Sequence, residues 1–344
     1  MIKILLDAMG GDHAPAVTVQ GAVKALKNDS ELHLILTGRQ NDIVSELVKY
    51  SYDKNRIEIV DCPDVIDMND IPTEAVRRKG SSLIAAYWML KKNDDICGLV
   101  TAGSTGATIV GGQLILGRIH GIKRPALCPA IPNSRGGVTL LCDCGANAEC
   151  KPVMLCQFAI LASAYARAGF GIDKPRVGLL NNGTEEHKGD PLRRETFKYL
   201  SEMKGINFVG NVEGRDIMLG DCDVVVTDGF SGNIALKSIE GCGKMILGVM
   251  KKELSATTRS KIGYLFAKKA IKNMRGQLDF DKHGGALLLG LRKVVIKSHG
   301  SSSAQTIAAA IANAAEIYRN GLVPSVENML EKVDLDNLIP AGDG

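Results

Sequence analysis

Short apolar runs, each stopping at a glycine-rich polar turn, recur along this chain. Residues 2–6 run into Asp7-Ala8-Met9-Gly10-Gly11-Asp12, and residues 96–100 into Thr101-Ala102-Gly103-Ser104-Thr105-Gly106. Residues 138–141 meet Asp143-Cys144-Gly145-Ala146-Asn147, and residues 177–180 meet Asn181-Asn182-Gly183-Thr184-Glu185-Glu186-His187-Lys188-Gly189. Residues 224–226 lead to Asp228-Gly229-Phe230-Ser231-Gly232-Asn233, and residues 294–296 to Ser298-His299-Gly300-Ser301. Runs of this length, rich in Val, Ile and Leu, read as strands buried on both faces. Further strands are expected at 32–36, 57–60, 126–131 and 206–209. Between them the apolar spacing changes to that of helices, at 17–26, 43–49, 83–90, 105–116 and 303–318. Residues 152–168 are almost wholly apolar and predict a helix buried in the core or against another subunit.

Strands alternating with helices predict an α/β fold, three layers deep, with a mostly parallel sheet. No repeat and no Ser/Pro linker divides the chain, so residues 1–344 read as one catalytic domain or as two lobes around a cleft. In an open parallel sheet the carboxyl ends of the strands share an edge, where ligands bind. Six glycine-rich turns there predict a large polar site that brings main-chain amides close to an anion.

Composition narrows the partners. Of 344 residues 45% are hydrophobic but only 4% aromatic, so the core is aliphatic and base stacking on nucleic acid is not expected. Nine cysteines without a C-x-x-C pattern predict reduced thiols and a cytoplasmic address. Cys142, Cys144, Cys150 and Cys156 match no metal-binding spacing. No continuous run reaches the ~18 apolar residues of a membrane span. Residues 2–6 are too short for a signal-peptide core.

The net charge of +4 is concentrated in one place. Within residues 250–275 eight cations face a single carboxylate, Glu253, giving +7 there and −3 elsewhere. On a helical wheel Lys261, Lys268, Lys272 and Arg275 share an arc of about 60°, with Ile262, Phe266 and Ala270 on the other half. A basic amphipathic helical excursion is expected over about 250–285. It is either a solvated face or a docking surface for an anionic membrane or an acidic protein. Each such cation near an anionic leaflet contributes about 1 kcal/mol, enough in sum for reversible attachment.

Several chemistries are excluded or kept open by motif. There is no G-x-x-x-x-G-K-[ST], no G-x-G-x-x-G and no H-E-x-x-H, and the six histidines are scattered, so neither a metal nor a nucleotide cofactor is expected. Ala102-Gly103-Ser104-Thr105-Gly106 is close to the nucleophile elbow of α/β-hydrolases, and Asp228 and His299 follow in the right order. A serine hydrolase is therefore a competing reading, although it leaves the other glycine turns without a role.

Read in order, the turns resemble the PlsX family of phosphate acyltransferases. Between them stand Gly80-Ser81-Ser82, Arg124-Pro125-Ala126-Leu127, Gln157-Phe158-Ala159, Gly210-Asn211-Val212-Glu213-Gly214, Leu236-Lys237 and Leu288-Leu289-Gly290-Leu291, up to Lys297-Ser298-His299-Gly300. The resemblance covers nearly the whole chain. It implies a fold like those of isopropylmalate dehydrogenase and phosphotransacetylase, a homodimer, and transfer of an acyl group from acyl carrier protein to orthophosphate. It also implies a place in phospholipid synthesis, upstream of a membrane glycerol-3-phosphate acyltransferase, for a cytoplasmic enzyme peripherally associated with the membrane. Two positions depart from the family pattern: Ser104 stands where Asn is common, and Asn182 and Thr184 alter the segment before Lys188.

Such a reaction needs positioning and oxyanion stabilisation rather than a strong base. Lys188, Asn233, His299 and Asp228 are the expected catalytic residues. Gly10, Gly11, Asp12, Ser104, Thr105, Gly106, Asn147, Asn182 and Gly232 are the expected phosphate- and substrate-binding positions. Lys261, Phe266, Lys268, Lys272 and Arg275 are the expected membrane or carrier contacts. Each has a plainer alternative: Asn233 as a helix cap, Asp228 as a turn former, Lys188 as a solvated charge. A CoA-dependent phosphate acyltransferase, a decarboxylating dehydrogenase and a catalytically silent membrane scaffold are the remaining alternatives.

Overall fold

A computed structural model describes residues 1–277 and 280–333, with the side chains of Arg275, Phe280 and Asp281 outside that description. The chain opens with β1 (Ile2–Asp7), α1 (Ala16–Asn28), β2 (Leu32–Gly38), α2 (Gln40–Leu47) and β3 (Ile57–Asp61). There follow α3 (Pro72–Ala75), α4 (Ser82–Lys92), β4 (Ile96–Thr101) and α5 (Thr105–Gly111), which runs on as a π-helical turn over Gly112–Leu116. The middle holds β5 (Ala126–Cys128), β6 (Ala130–Pro132), β7 (Val138–Cys142), α6 (Pro152–Phe170), β8 (Arg176–Leu180), α7 (Pro191–Glu202), β9 (Asn207–Val212) and β10 (Val224–Val226). The last part holds α8 (Gly229–Ala256), α9 (Thr258–Gln277), β11 (Ala286–Leu289), β12 (Val294–Lys297), α10 (Ala304–Arg319) and α11 (Leu322–Lys332).

The strands form two sheets. Seven strands in the order β3-β2-β1-β4-β12-β11-β5 make the larger, in which only β11 runs against its neighbours. Five in the order β6-β7-β10-β8-β9 make the smaller, with β6 antiparallel to β7. The apolar run at 126–131, expected as one strand, is two. Pro129 cannot donate to a ladder, and on either side of it the chain passes from the larger sheet to the smaller.

Each sheet is covered on both faces, and the pleat decides which side chain goes where. In β1, Ile4 and Leu6 join the cluster under α1 and α10, while Leu5 joins Leu99, Val295 and the apolar side of α4 on the opposite face. In the smaller sheet, Leu140, Val224 and Val177 face α6, whereas Leu141 and Val225 pack with Ala235, Leu236 and Ile239 of α8. This is the expected three-layer α/β/α arrangement, repeated. The helix α6 is long and apolar enough to cross a membrane by length and composition alone. It is a core helix here, buried from Pro152 to Ala166.

The expected basic excursion is a pair of long helices. α8 and α9 pack on each other, with Thr257 extended between them, and only Gly229 and Gly232 of α8 are buried. Met245, Ile246, Val249, Ile262 and Leu265 are exposed, and Phe266 is 88% exposed. The two helices thus carry an apolar surface that this chain does not cover.

Helices α1 and α10 pack closely against each other. A Cβ at Gly21 would lie 2.6 Å from Ile307 Cβ. Overpacking at such a site typically costs about 1–3 kcal/mol. Gly21→Val is therefore expected to lower the denaturant midpoint in equilibrium unfolding with little change in slope; an unchanged midpoint would refute this packing.

Candidate active site

A cleft of about 880 Å³ opens at the strand ends between the two sheets. Thr105 at the start of α5, Cys144 and Gly145 after β7, Asn233, Leu236 and Lys237 on α8, and Lys297, Ser298, His299 and Ser301 at the end of β12 all line it. Four of the glycine-rich turns therefore meet in one cavity. The turn after β1 sits just behind: the Asp12 amide donates to Gly300 O at 2.8 Å. Gly11, Asp12 and Gly103 border a separate hollow of about 340 Å³ with Arg39 and Met68. The turn after β8 does not reach the lining of the main cleft. The turns belong three to each sheet, and the cleft lies between two edges rather than along one.

Two buried carboxylates hold the turns. Asp7 is 2% exposed; it accepts from Ser82 Oγ at 2.6 Å and Thr101 Oγ1 at 2.7 Å, and Thr101 Oγ1 in turn accepts from the Gly103 amide at 3.0 Å. Asp143 accepts from the Leu127 amide at 2.9 Å, the Ala146 amide at 3.1 Å and the Asn147 amide at 2.7 Å. Burial pushes both carboxyls above the ordinary carboxylate value, and these hydrogen bonds work in the opposite direction. Asn147, expected to bind substrate, spends its side-chain amide on Asp143 Oδ2 at 2.9 Å and Pro125 O at 2.8 Å.

The start of α8 is pressed against the turn after β7. The Gly229 amide donates to Asn147 O at 2.8 Å, and a Cβ at Gly232 would lie 1.9 Å from Asp143 O. Glycine at 232 is thus required for close approach. That approach sets the Asn233 side chain against Gly145 and into the cleft. Asp228 caps α8 by accepting from the Ser231 amide at 2.8 Å, and it pairs with Arg193 of α7. Burial opposes its charge, but the Ser231 amide and the Arg193 guanidinium outweigh that and hold its carboxyl below the usual range.

At the end of β12, the Ser301 amide donates to His299 Nδ1 at 3.2 Å, and Ser301 Oγ lies 2.8 Å from the same nitrogen. An Nδ1 that accepts from the Ser301 amide leaves Nε2 as the ring's donor. Lys297, the preceding residue, is 8% exposed. Burial pushes its amine down to about 8, against the attraction of Asp7 and Asp12. Lys237, Lys244 and Lys251 add cations along α8, and Glu240 pairs with Lys237 at 2.9 Å. Leu127, Ile131, Leu236 and Leu247 supply apolar walls. One cavity therefore offers cations and polar turn residues together with apolar surface, suited to an anion beside a hydrocarbon chain.

Of the expected site residues, Thr105, Asn233 and His299 line this cleft. Ser104 is buried and caps α5, its Oγ accepting from the Ala107 amide at 3.4 Å. Gly106 is set against Pro72, with a Cβ there 2.4 Å from Pro72 Cγ. Gly10 packs on Gly103 and Asp7. Asn182 is exposed, and Lys188 is partly exposed with its amine 4.0 Å from Glu185. His299 is engaged by Ser301 and Asp228 by Arg193, so the hydrolase-like sequence Ser104, Asp228, His299 is not assembled into a relay. Lys261, Phe266, Lys268 and Lys272 are exposed on α9, and the side chain of Arg275 lies outside the described residues. Among the described residues no group of three or more His, Cys, Asp or Glu side chains could hold a metal ion.

Three residues were missed. Lys297 reads in the sequence as the polar end of a strand, and Arg193 as a surface charge on a helix. Lys237 had a usable signal, four residues beyond Asn233 and so on the same helical face.

The fold is that of the phosphotransacetylases. A phosphotransacetylase from Streptococcus pyogenes superposes with a TM-score of 0.59 at 19% identity, covering 92% of this chain and 94% of that one. A branched-chain phosphotransacylase from Enterococcus faecalis gives 0.57 at 14% identity, covering 92% and 99%. The family comes from closer relatives. A profile described as "Fatty acid synthesis protein" matches residues 2–324. A phosphate acyltransferase of Clostridium botulinum is 44% identical over 332 residues, covering 96% of this chain and 99% of the relative. Another, of Alkaliphilus oremlandii, is 45% identical over 325 residues, covering 94% and 96%. The chain belongs to this family of phosphate acyltransferases, the PlsX family, and is an acyltransferase that uses phosphate.

Removing one partner of a buried ion pair costs about 3–5 kcal/mol. Arg193→Ala, which strands Asp228, is expected to lower stability near the lower end of that range at neutral pH. Because the folded-state carboxyl is held low, the pair's contribution is present above about pH 4 and is lost as pH falls further. Denaturant titrations at neutral and acid pH would show the gap between wild type and variant closing; a gap independent of pH would refute the pairing.

Proposed function

We propose that this enzyme transfers a fatty acyl group from the thiol of an acyl carrier protein to orthophosphate, giving acyl phosphate for phospholipid synthesis. The observation that carries the reading is the shared lining of one cleft: Lys237, Lys297, His299 and Asn233 beside Leu127, Ile131, Leu236 and Leu247. An anion and an acyl chain can be held there side by side.

Orthophosphate is already dianionic near neutral pH, and a thiol with a pKa of about 8.5 is a good leaving group. A phosphate oxygen attacks the thioester carbon and forms a C–O bond. The carbonyl oxygen takes up the negative charge, the C–S bond then breaks, and the thiolate leaves and acquires a proton from solvent. The task for the protein is to hold the two reactants in line and to stabilise the transient oxyanion. The Asn233 side-chain amide and the Nε2 proton of His299 are donors suited to the oxyanion, and the amides of the glycine turns to phosphate. Lys188 is given a lesser role, since it does not line the cleft.

The α8–α9 pair is assigned to partners. Its uncovered apolar side, with Phe266 88% exposed, suits a second copy of the chain in a homodimer. The basic arc of Lys261, Lys268, Lys272 and Arg275 suits an acidic carrier or an anionic membrane surface. Such an enzyme is cytoplasmic and only peripherally attached, handing acyl phosphate to a membrane glycerol-3-phosphate acyltransferase.

Incubating the purified chain with palmitoyl-acyl carrier protein and orthophosphate is expected to release thiol only when phosphate is present, with acyl phosphate as product. Release without phosphate would indicate hydrolysis instead. Asn233→Ala and His299→Ala should each lower kcat about 10²–10³-fold, the usual loss for an oxyanion donor. Lys188→Ala should lose less. Replacing Lys261, Lys268, Lys272 and Arg275 with Glu is expected to abolish sedimentation with anionic vesicles or to raise KM for the carrier. If both stay unchanged, the docking assignment is wrong.

A further inference from the structure

We infer that Lys297 is the cation that binds the attacking phosphate dianion in the cleft. This rests on the transfer reaction proposed above and names the residue that fixes its nucleophile.

Lys297 ends β12, in register with Thr101 of the neighbouring β4 and Ala286 of β11. It is among the buried residues, yet it lines the cleft together with Ser298, His299 and Ser301. Its amine donates to Ser298 O, and among the described residues no carboxylate lies within ion-pair reach of it. The charged groups facing it are Asp7 at the end of β1, Asp12 in the following turn and Lys237 on α8; His299 and Glu240 share the cavity. Asp7 is committed to Ser82 and Thr101, and it serves the turns rather than the lysine.

A buried ammonium with a single carbonyl acceptor has donors to spare. Burial disfavours its charge, and the amine sits at about 8 instead of its ordinary value. An anion entering the cleft restores what burial removes, and a dianion restores more than a singly charged group does. Lys237 stands across the same space and repels Lys297, so a doubly charged ligand between them relieves that repulsion too. An uncharged thioester offers neither gain. Phosphate, the dianion of the proposed reaction, is the substrate that fits.

The sign of the pH dependence follows. Below about pH 8 the amine is charged and the site receives phosphate; as pH rises through that value the charge is lost. Phosphate becomes more dianionic, not less, as pH rises, so its own ionisation cannot mimic a fall in affinity.

The test is calorimetric titration of orthophosphate into the full chain without an acyl donor, so that it does not depend on which thioester is used. Wild type should bind phosphate, and its affinity should fall between about pH 7.5 and 9.5. Lys297→Met should weaken binding at least about tenfold, the share of a charge-assisted hydrogen bond, and abolish the fall with pH. Lys297→Arg, which keeps the charge, should move the fall beyond the range measured. In turnover assays the Met variant should raise KM for phosphate with KM for the thioester little changed. An unaltered affinity in Lys297→Met overturns the inference, and so does a wild-type affinity that is flat with pH. A flat wild-type profile overturns the inference even if the Met variant does not fold, and Lys297→Arg then supplies the comparison that singles out this residue. Normal phosphate binding with no thiol release would instead count against the transfer reaction alone.

Discussion

The site depends on one unusual junction, the buried Asp143 carboxylate. It sits at the end of β7 in the smaller sheet but accepts from the Leu127 amide of β5 in the larger one, as well as from the Ala146 and Asn147 amides of its own turn. A single side chain therefore ties the two sheets together at their strand ends. Its carbonyl faces Gly232, which admits no side chain, so the first turn of α8 has only one place to lie. Asn233 and Lys237 then enter the cleft because α8 starts where it does. On the other side Asp7 does the same for the turns after β1 and β4. Carboxylates taken out of water are costly unless every lone pair is used, and here the amides that use them belong to the glycine-rich turns.

Much of the architecture was legible from local pattern. The runs in β1, β4, β7, β8, β10 and β12 are apolar on both faces, which only a sheet covered by helices on both sides permits. The phase within β1, with Leu5 opposite to Ile4 and Leu6, follows from the pleat. What local pattern cannot carry is sheet membership. Residues 126–132 look continuous, and only the missing amide of Pro129 hints that Ala126 and Ala130 belong to different sheets. β11 escaped because four residues between Gly285 and Gly290 are too few to show a period. The length of α8 was hidden by Gly241, Gly243 and Gly248, each a weak helix former.

The site divides along the same line. Asn233 and His299, expected from their glycine turns, line the cleft. Lys188 stands in just such a turn and is nevertheless outside the cleft lining, since β8 lies one strand further from the junction than β10 does. Lys297 was not among the expected residues, yet it is buried and lines the cleft. A lysine closing an apolar strand is ordinarily the point where the chain reaches water, and nothing nearby in sequence says that β4, β11 and α8 close over it. Whether a charge is solvated or buried is decided by contacts distant in sequence, and motif reading is weakest for that property.

The two halves of the molecule make opposite use of exposed surface. Around the cleft apolar side chains share the lining with cations, which suits a cavity that must admit an anion beside a hydrocarbon chain. On α8 and α9 beyond the first turns the apolar side chains are outside, from Met245 to Phe266, with basic residues beside them. A helix pair of this kind gains little from standing alone in water. Because α8 runs without a break from Asn233 in the cleft to Val249 on the uncovered surface, the cleft and that surface share one continuous helix. Covering the outer part would restrain the helix whose first turn carries Asn233 and Lys237.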